Sequence, residues 1–304
     1  MLKHKTKLII NPNADVGRAW RWGSDLRIVV DEFGGADWSG TVYPTHAIDL
    51  ARQAAEDGYE LVIAVGGDGT THEVINGLMQ VPEEKRPRLG IVPVGTGNDF
   101  ASNVGIQSKP DLAMRRVFTG QPKRVDIASI KSGDRCEYWD NTLGIGFDAT
   151  ANIRSHRVPI LRGFFVYLIS AIQTIMLNHD PAFLEFKSDQ ESWQDHSLLL
   201  VLCNGAREGG GFHVAPEALV DDGWLDYASI TNVPRWMMFR LLPEVMNGTH
   251  GRFHQVRLNK FRELHLKSDR PLIIHTDGEI FAGFGTDVRE LSVKILPAAL
   301  EVMI

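Results

Sequence analysis

Residues 61–73, LVIAVGGDGTTHE, constrain the fold of this chain more than any other stretch. The five apolar residues at 61–65 show none of the polar alternation of a half-buried strand, so they predict a strand covered on both faces. Glycine ends that strand, and apolar residues return at helical spacing as Val74, Ile75, Leu78 and Met79. A buried strand that turns through glycine into a helix is a unit of a parallel α/β sheet. Gly66, Gly67 and Gly69 lack a Cβ, so backbone N–H groups there can come close to phosphate oxygens. The helix starting near Thr70 adds the positive end of its dipole, and Thr70 and Thr71 add hydroxyls. Asp68 repels a phosphate, so it is expected to work through Mg²⁺ or a metal-held water, leaving the glycines to set the loop backbone. Read alone, the same glycines could serve a backbone turn and nothing more.

The flanking segments repeat the alternation. Residues 7–10 form a short apolar run ended by Asn11-Pro12, and 20–33 read as a helix weakened by Gly23. Residues 41–43 predict a short strand, 47–57 a helix stopped by Gly58, and 89–94 a strand followed by Gly95-Thr96-Gly97-Asn98. This pattern predicts an N-terminal parallel α/β domain with right-handed crossovers. Beyond residue 120 the signals are strands, at 125–130, 138–143, 182–186, 197–203, 225–230, 262–266 and 271–275. Only 163–177 and 235–246 read there as strong helices, so a largely antiparallel, sandwich- or barrel-like second domain is expected.

At 43% hydrophobic and 23% charged, the 304 residues exclude a disordered or low-complexity chain. A net charge of −6 argues against a nucleic-acid partner, which calls for clustered excess Lys and Arg. Cys136 and Cys203 make neither a disulfide framework nor a four-thiolate zinc site, and a reducing compartment fits them. The opening MLKHKTKLIINPN is too short in apolar residues for a signal peptide. A helix over 163–177 would be roughly 22 Å long, against about 30 Å of hydrocarbon in a bilayer. It does not span; it is either core, a wall of a lipid pocket, or a surface that touches membrane beside Arg154, Arg157 and Arg162.

Seven motifs occur in order: NPN at 11–13, GGDGTTHE at 66–73, PVGTGNDFA at 93–101, LGIGFDA at 143–149, NGAREGGGFHVAP at 204–216, DDGWLD at 221–226 and TDGE at 276–279. Together they resemble the diacylglycerol kinase catalytic-domain family, which includes bacterial lipid kinases, sphingosine kinases and ceramide kinases. The resemblance implies a nucleotide-binding domain, 1–123, a β-rich lipid-substrate domain, 124–290, and a return segment, 291–304, packing on the first domain. It implies an active site in the cleft between the two domains. ATP would be bound at Asn11, Pro12, Asn13, Ala14, Asp15, Thr45, Gly66, Gly67, Asp68, Gly69, Thr70, Thr71, His72, Glu73 and Thr96. The extra acid in NADVG and His72 before Glu73 depart from the family pattern.

Phosphoryl transfer needs a positioned hydroxyl, a metal to offset charge, and usually a carboxylate to take the proton. The TDGE stretch offers Asp277 and Glu279, and the resemblance implies that one is the general base without saying which. An Asp-Gly hairpin turn is the plainer reading of the same residues. In LVDDGWLD the resemblance implies a structural Mg²⁺ on the Asp222 side chain and the carbonyls of Leu219 and Trp224, against a solvated turn as the plain reading. No Walker lysine is present, which separates the chain from P-loop kinases. The expected function is therefore an ATP- and Mg²⁺-dependent lipid kinase at the cytoplasmic membrane face. Its acceptor would be a membrane lipid, diacylglycerol first, with a homodimer left open. An NAD kinase-like enzyme sharing the GGDG loop and a non-catalytic nucleotide-binding module are the rivals.

Overall fold

Continuous apolar runs become parallel strands in the first of two units, which holds the chain up to Ile127 together with Ala298–Ile304. The computed structural model describes residues 5–17, 19–106, 109–155 and 164–304. In chain order the first unit has β1 (Thr6–Ile10), α1 (Ala14–Gly17), α2 (Gly23–Glu32), β2 (Asp37–Gly40), α3 (His46–Glu56) and β3 (Leu61–Gly66). It continues with α4 (Asp68–Met79), β4 (Arg88–Pro93), α5 (Asp99–Asn103) and α6 (Pro110–Thr119). β1 pairs in parallel with β2 and β3, and β3 with β4. Every residue of β3 is buried, as a strand covered on both faces requires. Leu8, Ile63 and Val92 share one core with Leu26 and Val30 of α2 and Met114 of α6.

Two expectations shift here. Residues 20–33 split into a 3₁₀ turn, Ala19–Trp22, and α2 starting at Gly23. The second strand is Asp37–Gly40, not 41–43: the Thr41 N–H still donates to Ile10 O at 2.9 Å, after which Val42 and Tyr43 turn out to solvent.

β5 (Pro122–Ser132) runs on into the second unit, Ala128–Pro297. There follow β6 (Arg135–Trp139), β7 (Thr142–Gly146), α7 (Phe147–Ser155), α8 (Phe164–Leu177), β8 (Ala182–Ser188), β9 (Ser192–Cys203) and β10 (Leu225–Thr231). α9 (Arg235–Asn247), β11 (Val256–Phe261), β12 (Glu263–Ser268), β13 (Ile274–Thr276) and β14 (Glu279–Ala282) complete it. β15 (Glu290–Met303) leads back to the first unit, where Val302 pairs in parallel with Leu89. In the second unit the strands lie in the order β14-β13-β7-β9-β8-β12-β15, with β10 between β9 and β11. The pairings among them are antiparallel. Trp139, Phe186, Tyr227 and Phe261 are buried in one cluster of this unit.

The expected strand over 138–143 is two strands, β6 and β7, parted at Asp140-Asn141. α7 escaped the sequence reading because LGIGFDA looks like strand and turn; positive φ at Gly146 (77°) lets the chain leave β7 and enter a helix at once. α8 buries Ser170, Ala171, Thr174 and Ile175 and exposes Phe165, Ile172, Met176 and Leu177. Arg157, Arg162 and Gly163 lie outside the described residues. Among the described residues no helix is long and apolar enough to cross a membrane.

Candidate functional site

Parallel strands end on the same edge, so the segments after β1, β3 and β4 come together in the first unit. Asn11 N–H donates to Val65 O and its Nδ2 to Thr70 Oγ1 (3.1 Å), while Asn13 N–H folds back onto Asn11 Oδ1. Pro12 lies between those two asparagines, and Ala14 and Asp15 open α1. The two glycine loops touch backbone to backbone: a Cβ on Gly95 would lie 2.4 Å from Gly67 Cα. Asp68, at the first position of α4, accepts the Asn98 N–H on Oδ2 at 2.6 Å, and Asn98 is held at φ 59°. Asn98 also exchanges two hydrogen bonds with the Gly95 backbone. Asp68 thus ties the second loop to the first, and the expectation that glycines alone set this backbone is corrected.

Other members of the predicted set are accounted for in the same way. The Glu73 carboxylate accepts the Thr45 N–H (2.8 Å) and the Ala47 N–H (3.0 Å), so it caps the start of α3 and fixes Thr45 at φ 71°. Thr70 and Thr71 are buried. Thr70 Oγ1 receives Asn11, and the Thr71 hydroxyl turns back to Gly67 O. His72 is buried against Asn76. Gly66 is buried beneath Thr70, Gly67 caps α4, and Gly69 follows Asp68 in its first turn. Thr96 is exposed at the tip of its loop. Asn98 was part of the motif as read, yet its role as the loop's clasp is visible only in the folded geometry.

In the second unit, Asp222 closes the turn before β10. Oδ1 accepts the Trp224 N–H at 3.0 Å, and Oδ2 pairs with Lys260 Nζ at 3.0 Å. Lys260 also lies 3.4 Å from Asp226 Oδ2, opposite it in the β10–β11 register. Burial raises the Asp226 pKa to about 6 against the opposing pull of Lys260. The predicted donors at Leu219, Asp222 and Trp224 are hard oxygens around a tight turn, which fit Mg²⁺ by type. Such an ion would share Asp222 with an ammonium already in place.

The TDGE stretch is a two-residue hairpin: Thr276 pairs with Glu279, and Asp277 (φ 51°) and Gly278 (φ 89°) both have positive φ. Asp277 is 9% exposed, and its carboxylate accepts three backbone N–H groups, from Asp140, Asn141 and Thr142, at 2.9–3.0 Å. Those bonds commit Asp277 to holding the gap between β6 and β7. Glu279 is exposed.

Directly before the hairpin, His275 gathers two acids from the LGIGFDA and NGAREGGGFHVAP motifs. His275, 1% exposed, places Nε2 2.7 Å from Asp148 Oδ2 of α7 and 3.1 Å from Glu208 Oε1. One ligand-type atom from each of the three lies within 4.8 Å of the others. Burial disfavours charge on His275, but hydrogen bonds and charge from Asp148 and Glu208 outweigh it and raise its pKa to about 10. The Gly278 N–H, 3.2 Å from Nδ1, is a single neutral dipole against two carboxylates. Asp148 and Glu208 border a pocket otherwise walled mostly by apolar side chains, among them Ala171 and Ile175 of α8 and Phe212. Its cavity volume is about 70 Å³, so the apolar side chains stand close together around it.

Residues 5–130 match the diacylglycerol kinase catalytic domain, and 141–304 match the YegS C-terminal NAD kinase beta sandwich-like domain. A protein of Chromohalobacter salexigens named "Probable lipid kinase YegS-like" is 33% identical over 271 residues, 87% of this chain and 80% of that one. The chain belongs to the diacylglycerol kinase catalytic-domain family. A Yersinia enterocolitica protein of the same name is 28% identical over 254 residues, covering 82% of this chain and 80% of its own length. The crystal structure of a diacylglycerol kinase from Bacillus anthracis superposes with a TM-score of 0.74 at 20% identity, covering all of this chain and 97% of the other. The α/β unit followed by a β sandwich-like unit is the fold of this family, and the chain is a kinase.

Proposed function

We propose that this kinase transfers the γ-phosphoryl group of ATP to the hydroxyl of a membrane lipid, with diacylglycerol as acceptor and phosphatidic acid as product. The observation that carries the lipid assignment is the apolar pocket of the second unit, bordered by two carboxylates and adjoining the TDGE hairpin through His275. Hydrocarbon suits its walls, and carboxylates suit a hydroxyl donor. In the first unit, the clasped loops at 11–15, 66–70 and 95–98 come together around the N-terminus of α4, whose dipole suits the nucleotide phosphates.

Glu279 is the general base of this reading: it is exposed, whereas Asp277 is engaged by three amides and holds the hairpin in place. Mg²⁺, when bound, offsets the charge of the triphosphate. Asp68 is the residue of the first unit that would face it, and Asp222, Leu219 and Trp224 would hold a second, structural ion. The exposed Phe165, Ile172, Met176 and Leu177 of α8 support docking on the membrane face where the substrate resides. An assay with γ-labelled ATP against vesicles of diacylglycerol, sugars and NAD tests the proposal. Label in the lipid fraction is expected; label in NAD alone would favour the NAD kinase-like rival.

A further inference from the structure

The Asp148–His275 pair is built into the sheet. His275 faces Gly144 across the β13–β7 register. A Cβ on Gly144 would come within 1.9 Å of Asp148 Oδ2 and 2.3 Å of His275 Nε2, so the pair occupies the space a side chain would fill. The Nε2–H group is directed at Oδ2, and among the described residues Asp148 Oδ1 has no hydrogen-bond partner. Asp148 borders the apolar pocket, and its partner His275 directly precedes the hairpin. A carboxylate oxygen beside apolar walls is costly to desolvate unless a donor reaches it. Loss of a hydrogen bond to a charged acceptor costs roughly tenfold or more in affinity.

Resting on the lipid-kinase reading, we propose that Asp148 accepts the hydroxyl of the lipid head in the binding complex, the same O–H turning from Asp148 to Glu279 when its proton is taken at transfer, and that His275 is the positioning residue that orients Asp148 for it. The hydrocarbon chain then lies along Tyr167, Ala171 and Ile175, one side of α8, with Leu241 and Val245 of α9 also lining the pocket. Lipids of equal chain length are discriminated by whether the head carries a donor, and His275 acts on that discrimination and not on ATP.

Equilibrium binding of monooleoylglycerol and of methyl oleate to the whole protein tests this, since the two share a chain and differ in hydroxyls. The wild type is expected to prefer monooleoylglycerol at least tenfold. Asp148→Ala and His275→Ala should bring that ratio close to one, and His275→Gln, which keeps an N–H donor, should restore much of it. In turnover, His275→Ala should raise the lipid KM about tenfold with the ATP KM unchanged. An undiminished binding ratio in folded Asp148→Ala would overturn the proposal, as would a His275→Gln protein no better than His275→Ala. Should His275→Ala not fold, Asp148→Ala and His275→Gln still decide. Retained discrimination without lipid phosphorylation would sink the kinase reading of this pocket and leave the head-group site standing.

Discussion

At the residue scale, Asp68 and Asp277 show how a carboxylate expected to do chemistry is also used to hold backbone. Asp68 accepts the Asn98 N–H, so its truncation removes a clasp along with a charge. Asp68→Asn keeps an acceptor oxygen. We expect it to retain the wild-type melting temperature while losing at least about 10²-fold in phosphoryl transfer, a loss like that of an electrostatic catalytic group. Asp68→Ala should lose both. Full activity in Asp68→Asn would remove this residue from the chemistry. The TDGE acids should separate in the opposite sense. Glu279→Gln should lower kcat by roughly 10² to 10⁴ with an unchanged melt. Asp277→Asn leaves one oxygen where two served three amides, and should cost about 1–3 kcal/mol of stability. Equal effects of the two substitutions on kcat and on melting would contradict the division of roles. His275 adds a pH signature. Its folded pKa of about 10 exceeds the usual 6.5, so its contribution is complete below pH 6.5 and is lost as pH rises through 10. The groups facing it are Asp148 from α7 and Glu208 from the loop after β9, with Gly278 N–H from its own hairpin. Melting of the wild type between pH 7 and 10 should therefore fall more steeply than that of His275→Gln; parallel curves would rule out the charged imidazole.

At the scale of elements, β1, β3 and β4 could be read from sequence because burial on both faces leaves an unbroken apolar run. α8 was legible for a related reason, an apolar run of helical length interrupted by no residue more polar than Ser170, Gln173 and Thr174. α7 was hidden: GFDATANIRS carries little periodicity, and its position follows from Gly146 and from Asp148 reaching His275, a contact 127 residues apart in sequence. The nucleotide loops were found through their glycines, but the Asn98 clasp and the Glu73 cap on α3 depend on partners 30 and 28 residues distant, which no local pattern encodes. The turn at 219–226 was legible as acidic, whereas Lys260 lies on another strand. We expect the wild type to melt lower in chelator than in Mg²⁺, and Asp222→Ala to melt lower still with no such difference. Identical wild-type melts would mean that Lys260 is the cation the turn uses. On α8, Phe165→Glu with Met176→Glu should reduce activity on vesicles severalfold while sparing a dispersed short-chain lipid. An equal loss on both substrates would assign that face to packing.

At the scale of the whole molecule, the nucleotide loops belong to one unit and the apolar pocket to the other, and strands β5 and β15 run through both. A lipid kinase reading uses each of these features: loops for ATP, a hairpin carboxylate for the proton, and an apolar pocket with a polar end for the acceptor. A regulatory module would need the first alone, and an NAD kinase-like enzyme would have no use for the hydrocarbon walls. The decisive measurement is transfer of label from γ-labelled ATP to diacylglycerol in mixed vesicles, with Mg²⁺, for the wild type and Glu279→Gln. Label should enter the lipid extract with the wild type and fall by roughly 10²-fold or more with the variant. Wild-type protein that binds ATP yet leaves every lipid unlabelled would contradict the central claim.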